Sequence, residues 1–329
     1  MSLIGKPLKS KDAVEAVLSL LLASLFCIVI YIYLFVDLES FLLTRVGRAY
    51  TGRWNTNDVG IMATVGILLS MHFLRGQKST FRKILLLLCI AAFAYMDLIT
   101  ASRKALLMLL FGVCAHLLLQ NPKKLGRNIV WIILIVGLSY LAVMEIPTLY
   151  DWIGWRMQGM LDGLAGKPTA DSSTIHRKKM LEAAVQVFYD HPLFGCGMDN
   201  FRFYNPIRIT YAHNHFAEMA ADLGILGLIS YYWIFVYIII DYFKRIQKDA
   251  LLTTLFIFVV MYFISHYAMV ATTDMIQHIL LCSYLAYSRV HKKEAAAQGR
   301  KTSIHQKKNQ EEHHERKASN QRNRRIHGL

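Results

Sequence analysis

The chain has 329 residues, of which 55% are hydrophobic, and its formal net charge at pH 7 is +15. This apolar share excludes an ordinary soluble domain, in which about 45–50% of residues are apolar even when glycine is counted. An apolar chain with an excess of basic residues is typical of a membrane protein. Four of the five cysteines lie inside apolar runs, so they define neither a disulfide framework nor a cysteine-zinc site.

Eight stretches are candidate membrane spans, and they cover residues 13–36, 59–74, 84–99, 105–119, 129–144, 224–240, 251–270 and 275–287. A helix needs roughly 20 apolar residues to cross a bilayer, and several of these stretches are shorter. The first follows Lys6, Lys9 and Lys11 without a small-residue cleavage site, which predicts an uncleaved span. Since lipid cannot satisfy the edge of an open sheet, the pattern predicts an all-α polytopic bundle of about eight spans.

Basic residues predict the orientation of this bundle. They are concentrated in the N-terminus, in the connections 75–83, 120–127 and 242–249, and in the tail. Because cytoplasmic loops carry an excess of Lys and Arg, both termini are predicted to lie in the cytoplasm. The predicted division is a cytoplasmic N-terminus (1–12), five spans (13–144), a long, partly helical extracytoplasmic loop (145–212), three spans (213–288) and a basic disordered tail (289–329).

The tail has no apolar periodicity and cannot bury enough surface to fold alone. We interpret it as a solvated cytoplasmic segment, with contact to anionic lipid headgroups as the alternative and no nucleic-acid partner.

The first outward feature is the turn between the third and fourth spans, Thr100-Ala-Ser-Arg-Lys104. Two adjacent cations here run against the charge bias of the other connections. They either snorkel to lipid headgroups or hold a phosphate at the outer face. Ser102 is a candidate N-cap of the next helix, whose terminal amides would add to an anion site.

The long loop is predicted to contain a helix over residues 174–189, with Ser172 or Ser173 as its N-cap and His191-Pro192 as its end. Its predicted apolar stripe contains Ile175, Leu181, Ala184, Val185 and Phe188. Arg177 lies one turn before Leu181 and therefore on the same stripe. A buried cation needs an anionic partner, which is either a loop carboxylate such as Asp171 or a substrate phosphate.

The segment Tyr211-Ala-His-Asn-His-Phe-Ala-Glu218 closes the loop and opens an apolar stretch. Asn214 is a candidate N-cap, which places His213 just outside the helix, where an imidazole can act as a general base. His215, Glu218 and Asp222 share one helical face. They form a metal site, or orient His213 through hydrogen bonds, or belong to a capped helix without chemistry.

The glycines that follow, Gly224 and Gly227, are predicted to permit close packing of a neighbouring helix.

Five short motifs occur in order over roughly residues 45 to 245 and together resemble the O-antigen ligase and O-antigen polymerase superfamily. They are Thr51-Gly-Arg-Trp-Asn-Thr-Asn57, Thr100-Ala-Ser-Arg103, Ser172-Ser-Thr-Ile-His-Arg177, His191-Pro-Leu-Phe-Gly-Cys-Gly197, and Ala212-His-Asn-His-Phe-Ala-Glu218 with Gly224 and Gly227.

This resemblance implies a metal-independent glycosyltransferase without a cofactor, located in the bacterial cytoplasmic membrane with its site on the outer face. The implied donor is a polyprenyl-diphosphate-linked glycan, and the implied acceptor is a glycan, lipid or protein, with a polymerase favoured over a ligase. The implied catalytic residues are His213 as general base with Arg177 and Arg103 as diphosphate clamps. The implied substrate-binding residues are Asn214, His215, Glu218, Asp222, Arg53 and Asn57.

Two other functions stay open at this point. One is a transporter or flippase of a lipid-linked or anionic solute, in which Arg103, Arg177 and His266 or His278 would line a path. A transporter is expected to place its essential charges near the middle of the bilayer. The other is an inactive scaffold in a polysaccharide assembly complex.

Overall fold

The computed structural model describes residues 10–35, 55–120, 124–165, 167, 172–207, 210–245, 249–270, 274–294 and 296. The regular elements within these ranges are helices. They are α1 (Lys11–Phe35), α2 (Thr56–Leu74), α3 (Thr80–Thr100), α4 (Arg103–Gln120), α5 (Leu125–Glu145), α6 (Trp155–Leu164), α7 (Ser172–Asp190), α8 (Phe201–Tyr204), α9 (His215–Phe243), α10 (Ala250–Ser265) and α11 (275–294). A short helical turn (Pro147–Leu149) and a π-helical segment (Tyr150–Gly154) join α5 to α6.

Each of the eight predicted stretches coincides with a helix in the described part of the chain. Five helices, α1, α2, α3, α5 and α9, are long and apolar enough to cross a membrane, and α10 is apolar but shorter. The predicted polytopic all-α membrane fold is therefore confirmed. The stretch predicted over 251–270 is wrong at its end, because α10 stops at Ser265 and a turn follows.

Helix α2 is the centre of the bundle. It packs against α1, α3, α4 and α10. In its most apolar 18-residue stretch, 61% is buried inside the protein, compared with 6% for the corresponding stretch of α5. A Cβ on Gly60 would lie 2.7 Å from Cβ of Ala105 and 2.9 Å from Oγ1 of Thr100. The hydroxyl of Thr64 donates to the backbone C=O of Ala105 at 3.1 Å. These close contacts hold the turn between α3 and α4 against the start of α2.

The helix predicted in the long loop is confirmed as α7, which begins two residues earlier than predicted. Its predicted apolar stripe is wrong in part, since Ile175 and Val185 are 43% and 40% exposed. Ala184 is buried as predicted, and the other buried residues of the helix are Met180 and Val187, which the predicted stripe did not include. Ile175 and Val185 are each five residues from Met180, which turns them about 140° around the helix from it. Arg177, three residues before Met180, stays on the buried side.

Candidate functional site

A cavity of about 560 Å³ lies where the ends of several helices meet. Its lining comes from α4, α6, α7, the segment before α9, and the end of α10 with the turn that follows. Arg103, Arg177 and His213 all line it, together with Lys104 and Lys178. The structure therefore brings the three residues predicted to be catalytic, from three separate elements, to one cavity.

Arg103 is positioned by the turn that ends α3. Ala101 takes a left-handed conformation with φ 45°, and the Ser102 hydroxyl accepts from the Ala105 N–H at 3.3 Å. Ser102 is thus the N-cap of α4, as predicted, and its hydroxyl also donates to Oδ1 of Asn57 at 3.2 Å. Nη1 of the half-buried Arg103 donates to the C=O of Arg156 at 2.7 Å. This bond orients the guanidinium at the first turn of α4.

Asn57 supports this turn from the first turn of α2. Its backbone N–H donates to Oδ1 of the N-cap residue Asn55 at 2.9 Å. Its side chain reaches Ser102 and lies outside the cavity lining. Arg53, the other residue predicted to bind substrate in this region, lies outside the described residues.

His213 stands immediately before α9. Asn214 is the N-cap, as predicted, because its Oδ1 accepts from the Ala217 N–H at 3.0 Å. His213 has φ 56°, a left-handed conformation that few residues other than glycine adopt and that the surrounding structure must hold. Its ring centroid is 4.4 Å from that of Tyr211. This geometry puts the imidazole at the cavity lining and not within the helix.

Backbone bonds fix the chain on both sides of His213. On one side, the buried carboxylate of Glu218 accepts a short hydrogen bond from the Ala212 N–H. On the other side, the His215 N–H donates to the C=O of His266 at 2.8 Å. His213 is therefore held between two anchored neighbours, which supports its unusual backbone conformation.

Asp222 organises the loop that precedes α8. Its two carboxylate oxygens accept from the N–H groups of Asp199 at 2.9 Å and Phe201 at 2.8 Å. Burial and the negative charge of Asp222 together raise the pKa of the neighbouring Cys196 thiol.

His215, Glu218 and Asp222 are not part of the cavity lining. The two carboxylates bond backbone N–H groups, and the His215 ring is buried 4.6 Å from the rings of Tyr231 and His266. Their side chains therefore turn to the protein, and their contact with substrate stays a prediction. The predicted support of His213 through hydrogen bonds fits Glu218 best.

No group of three or more His, Cys, Asp or Glu side chains is placed to hold a metal ion within the described ranges. The combination considered from sequence, His215 with Glu218 and Asp222, is not assembled. Glu218 turns to Ala212, whereas Asp222 turns to residues 199–201.

Helix α9 is interrupted at Gly224, whose φ of 63° and ψ of −162° are not helical. The loop 192–197 pairs with the break. The N–H groups of Cys196 and Gly197 donate to the C=O groups of residues 221 and 222 at 2.8 and 2.9 Å. In return, the N–H groups of Ile225 and Leu226 donate to the C=O groups of residues 192 and 193 at 2.9 and 3.4 Å. The loop thus supplies hydrogen bonds that the interrupted helix lacks.

Two glycines allow this pairing. A Cβ on Gly224 would lie 2.4 Å from the carbonyl carbon of Leu193, and one on Gly195 would lie 2.2 Å from that of Asp222. The expectation that Gly224 and Gly227 admit a neighbouring helix is therefore wrong. Gly224 admits a loop backbone, and a Cβ on Gly227 would meet the side chain of Leu223 in the same helix.

Several cavity residues were missed by sequence reasoning. Tyr267 lines the cavity and is 68% exposed, although the sequence places it inside an apolar run. Lys178 was missed as well, although it adjoins the predicted Arg177, which was the available signal. Lys104 was anticipated, since it is one of the two adjacent cations predicted to snorkel to lipid headgroups or to hold a phosphate. His266 and His278, considered for a transport path, lie outside the lining. They bond Oε1 of Gln277 at 2.7 Å and the C=O of Asp274 at 2.6 Å.

Glu218 gives the first testable expectation. We expect Glu218→Ala to lower the activity of the site because the Ala212–His213 backbone loses its anchor. Glu218→Gln, which keeps an acceptor oxygen, is expected to retain most of it. A buried hydrogen bond to a charged group contributes about 1.5–3 kcal/mol. Thermal stability and turnover are measured on both variants and on the wild type. Turnover of Glu218→Ala equal to that of the wild type would refute the positioning role.

The fold and the cavity define the class: a multi-pass helical membrane protein with a cationic cavity at its helix ends. Residues 85–232 match the model of a family described as O-antigen ligase, and this region contains Arg103, Arg177 and His213. The resemblance to the O-antigen ligase and polymerase superfamily is confirmed by this match.

Over 202 residues the chain is 21% identical to the teichuronic acid biosynthesis protein TuaE of Bacillus subtilis (strain 168). The match covers 59% of this chain and 41% of that protein. The chain therefore spans less than half of that relative's length.

Proposed function

We propose that this protein is a membrane glycosyltransferase of bacterial surface-polysaccharide assembly. It transfers glycan from a polyprenyl-diphosphate donor to an acceptor hydroxyl, with a glycan acceptor, hence polymerisation, favoured over a lipid or protein acceptor. The observation that carries the proposal is the single cavity lined by Arg103, Arg177 and His213. The family match and the relative's name, which concerns teichuronic acid biosynthesis, support the class of substrate.

In the proposed reaction, the His213 imidazole takes the proton of the acceptor hydroxyl. The acceptor oxygen then attacks the anomeric carbon of the donor sugar, and the bond from that carbon to the diphosphate oxygen breaks. The electron pair leaves with the diphosphate, whose growing charge is met by the guanidinium groups of Arg103 and Arg177. Arginine suits this role because its planar fork matches phosphate oxygens bidentately. The leaving group is already activated, so the proposal invokes neither a metal nor a cofactor.

The cavity also suits a lipid-linked donor. Its cations lie beside an apolar wall formed by α4 and α10, whose lining residues are Leu107, Met108, Phe111, Met261 and Ile264. A diphosphate at the arginines would place its polyprenyl chain along this wall, where apolar burial favours it. Transport is not favoured, because the two histidines considered for a path lie outside the lining.

The proposed orientation puts both termini in the cytoplasm and the cavity on the outer face, as the distribution of basic residues implies. We expect a cysteine at the exposed position Lys179 on α7 to react with a membrane-impermeant maleimide from outside intact cells. The check uses a chain whose native cysteines are replaced. Labelling only after the cells are permeabilised would show that the orientation is the reverse of the proposed one.

Arg177→Lys is expected to lower kcat/KM for the lipid-linked donor by about 10- to 100-fold. The lysine keeps the charge but loses the fork, and a hydrogen bond to a charged group is worth about 1.5–3 kcal/mol. The matched control is Lys179→Arg, an exposed α7 position outside the cavity lining, which we expect to leave turnover unchanged. Equal kinetics in the wild type and Arg177→Lys would remove the clamp assignment.

The experiment that tests the function is incubation of the purified protein with defined lipid-linked oligosaccharides, followed by analysis of product length. A polymerase is expected to produce longer lipid-linked glycans. A ligase is expected to transfer the glycan once to a different acceptor. Unchanged donor with every acceptor class would contradict the proposed enzyme.

A further inference from the structure

The loop between α7 and α8 carries large apolar side chains on its surface. Leu193 is 59% exposed, Phe194 73% and Met198 64%, and residues 193–198 include no charged side chain. A cluster of exposed apolar residues of this kind marks contact with a partner or a membrane.

This apolar patch, defined by Leu193, Phe194 and Met198, continues an exposed strip of α9. Beyond Gly224, exposed apolar side chains recur every three or four residues along that helix: Leu226, Ile229, Trp233, Tyr237 and Ile240. One strip at this spacing occupies one helix face, which in a spanning helix contacts lipid. The Leu226 N–H donates to the C=O of Leu193, so the patch is joined by backbone to the start of the strip.

The backbone of the loop is also suited to a non-aqueous environment. Lipid supplies no hydrogen-bond partners, so polar backbone groups that contact it must be satisfied by protein. The N–H groups of the three consecutive residues 195–197 donate to backbone carbonyls at 2.8–2.9 Å. The C=O groups of Pro192 and Leu193 accept from α9, and those of Cys196 and Gly197 accept from Asn200.

A polar boundary follows the patch immediately. The Arg202 guanidinium pairs with Asp199 at 3.1 Å and lies 5.1 Å from the ring centroid of Phe203. An amphipathic order of this kind, with apolar side chains next to a half-exposed arginine, matches the boundary between acyl chains and headgroups.

We propose that Leu193, Phe194 and Met198 insert into the bilayer beside α9 and form a shallow membrane anchor for the loop. The partner is phospholipid, since the patch continues a helix face that contacts lipid. In addition, the N–H groups of residues 195–197 and the C=O groups of residues 192, 193, 196 and 197 are bonded within the protein. The anchor ties α7 to the membrane surface, because the loop follows directly from α7. It thereby fixes the height of Arg177 relative to the lipid.

Spin labelling of the full chain in vesicles of phosphatidylethanolamine and phosphatidylglycerol tests this anchor. Nitroxides are attached at Phe194→Cys and Met198→Cys in a chain whose five native cysteines are replaced. The matched control is Lys179→Cys on α7, an exposed charged position. At each label, collisions with oxygen, which concentrates in hydrocarbon, are compared with collisions with a water-soluble nickel chelate.

We expect the ratio of oxygen to nickel collisions to be severalfold higher at positions 194 and 198 than at position 179. A ratio equal to that of the control would overturn the anchor. Protection from both reagents, with dipolar broadening between labels, would assign the patch to a second copy of the chain and would overturn it as well. Both substitutions replace exposed side chains, and if one variant fails to insert, the other gives the same test.

Discussion

Replacing His213 with alanine is expected to lower glycan transfer by about 10²- to 10⁴-fold, the usual contribution of a positioned general base. Donor binding is expected to persist, because Arg103 and Arg177 remain in the cavity. The protein is expected to insert normally, since Asn214 still caps α9 through the Ala217 N–H. Polymer amount in cells and turnover by the purified protein measure the first effect, and binding of the lipid-linked donor measures the second.

The matched control for this variant is His176→Ala. His176 is exposed on α7, next to Arg177 in sequence but outside the cavity lining, and its loss is expected to leave transfer unchanged. Polymer of normal length and amount from His213→Ala would overturn the base assignment. A similar loss in both variants would point to a general effect of removing an outward histidine.

Gly224→Ala is expected to produce the largest loss of stability. The added Cβ would lie 2.4 Å from the carbonyl carbon and 2.5 Å from the carbonyl oxygen of Leu193, at a residue with φ 63°. Backbone strain and steric overlap each cost about 1–3 kcal/mol, so the free energy of unfolding should fall by about 2–6 kcal/mol. The loop 192–197 would separate from α9, and transfer activity should fall with it.

Thermal unfolding of the detergent-solubilised protein, followed by circular dichroism, measures this loss. Gly137→Ala is the matched control, because a Cβ at Gly137 meets nothing within 4 Å. Alanine is also the better helix former, by about 1 kcal/mol in a helix interior. Equal unfolding temperatures for Gly224→Ala and Gly137→Ala would show that the break in α9 does not depend on glycine.

The local features of this fold were predictable from sequence because they depend on neighbouring residues. Apolar runs identified the helices, and Ser102 and Asn214 were identified as N-caps from their side chains and their positions before the runs. His213 beside Asn214 then had to lie at a helix start. The placement of Arg103, Arg177 and His213 in one cavity is not local, and only the family resemblance predicted that they act together.

The break in α9 could not be predicted in this way. Residues 215–243 read as one helix, and Gly224 alone is compatible with helix packing, with a kink or with a loop contact. The break is determined by tertiary pairing with residues 192–197, which lie about 30 residues earlier in the sequence. Nothing in the sequence of those residues indicates that they pair with α9. The roles of Glu218 and Asp222 could not be predicted either. Their carboxylates accept hydrogen bonds from the N–H groups of Ala212 and of Asp199 and Phe201, and these pairings are set by the tertiary fold.

In the connection 242–249, one basic residue serves both to indicate membrane orientation and to stabilise the fold. Its basic residues were used for orientation, but Arg245 is also part of a buried structural cluster. Its guanidinium bonds Asp241 at 2.7 Å, and the Asp241 carboxylate also accepts from Ser288 at 2.9 Å. This cluster joins the end of α9 to α11. It could not be predicted from the sequence, because Ser288 lies more than 40 residues from Asp241 and Arg245.

The most direct test of whether Arg103 and Arg177 act on one substrate is a double-mutant cycle on binding of undecaprenyl diphosphate in nanodiscs. Affinities are measured for the wild type, Arg103→Ala, Arg177→Ala and the double variant. If both guanidinium groups contact the same diphosphate, the double variant should depart from the sum of the single losses by about 0.5–3 kcal/mol. Strictly additive losses, or unchanged affinity in either single variant, would show that the two arginines do not share a ligand.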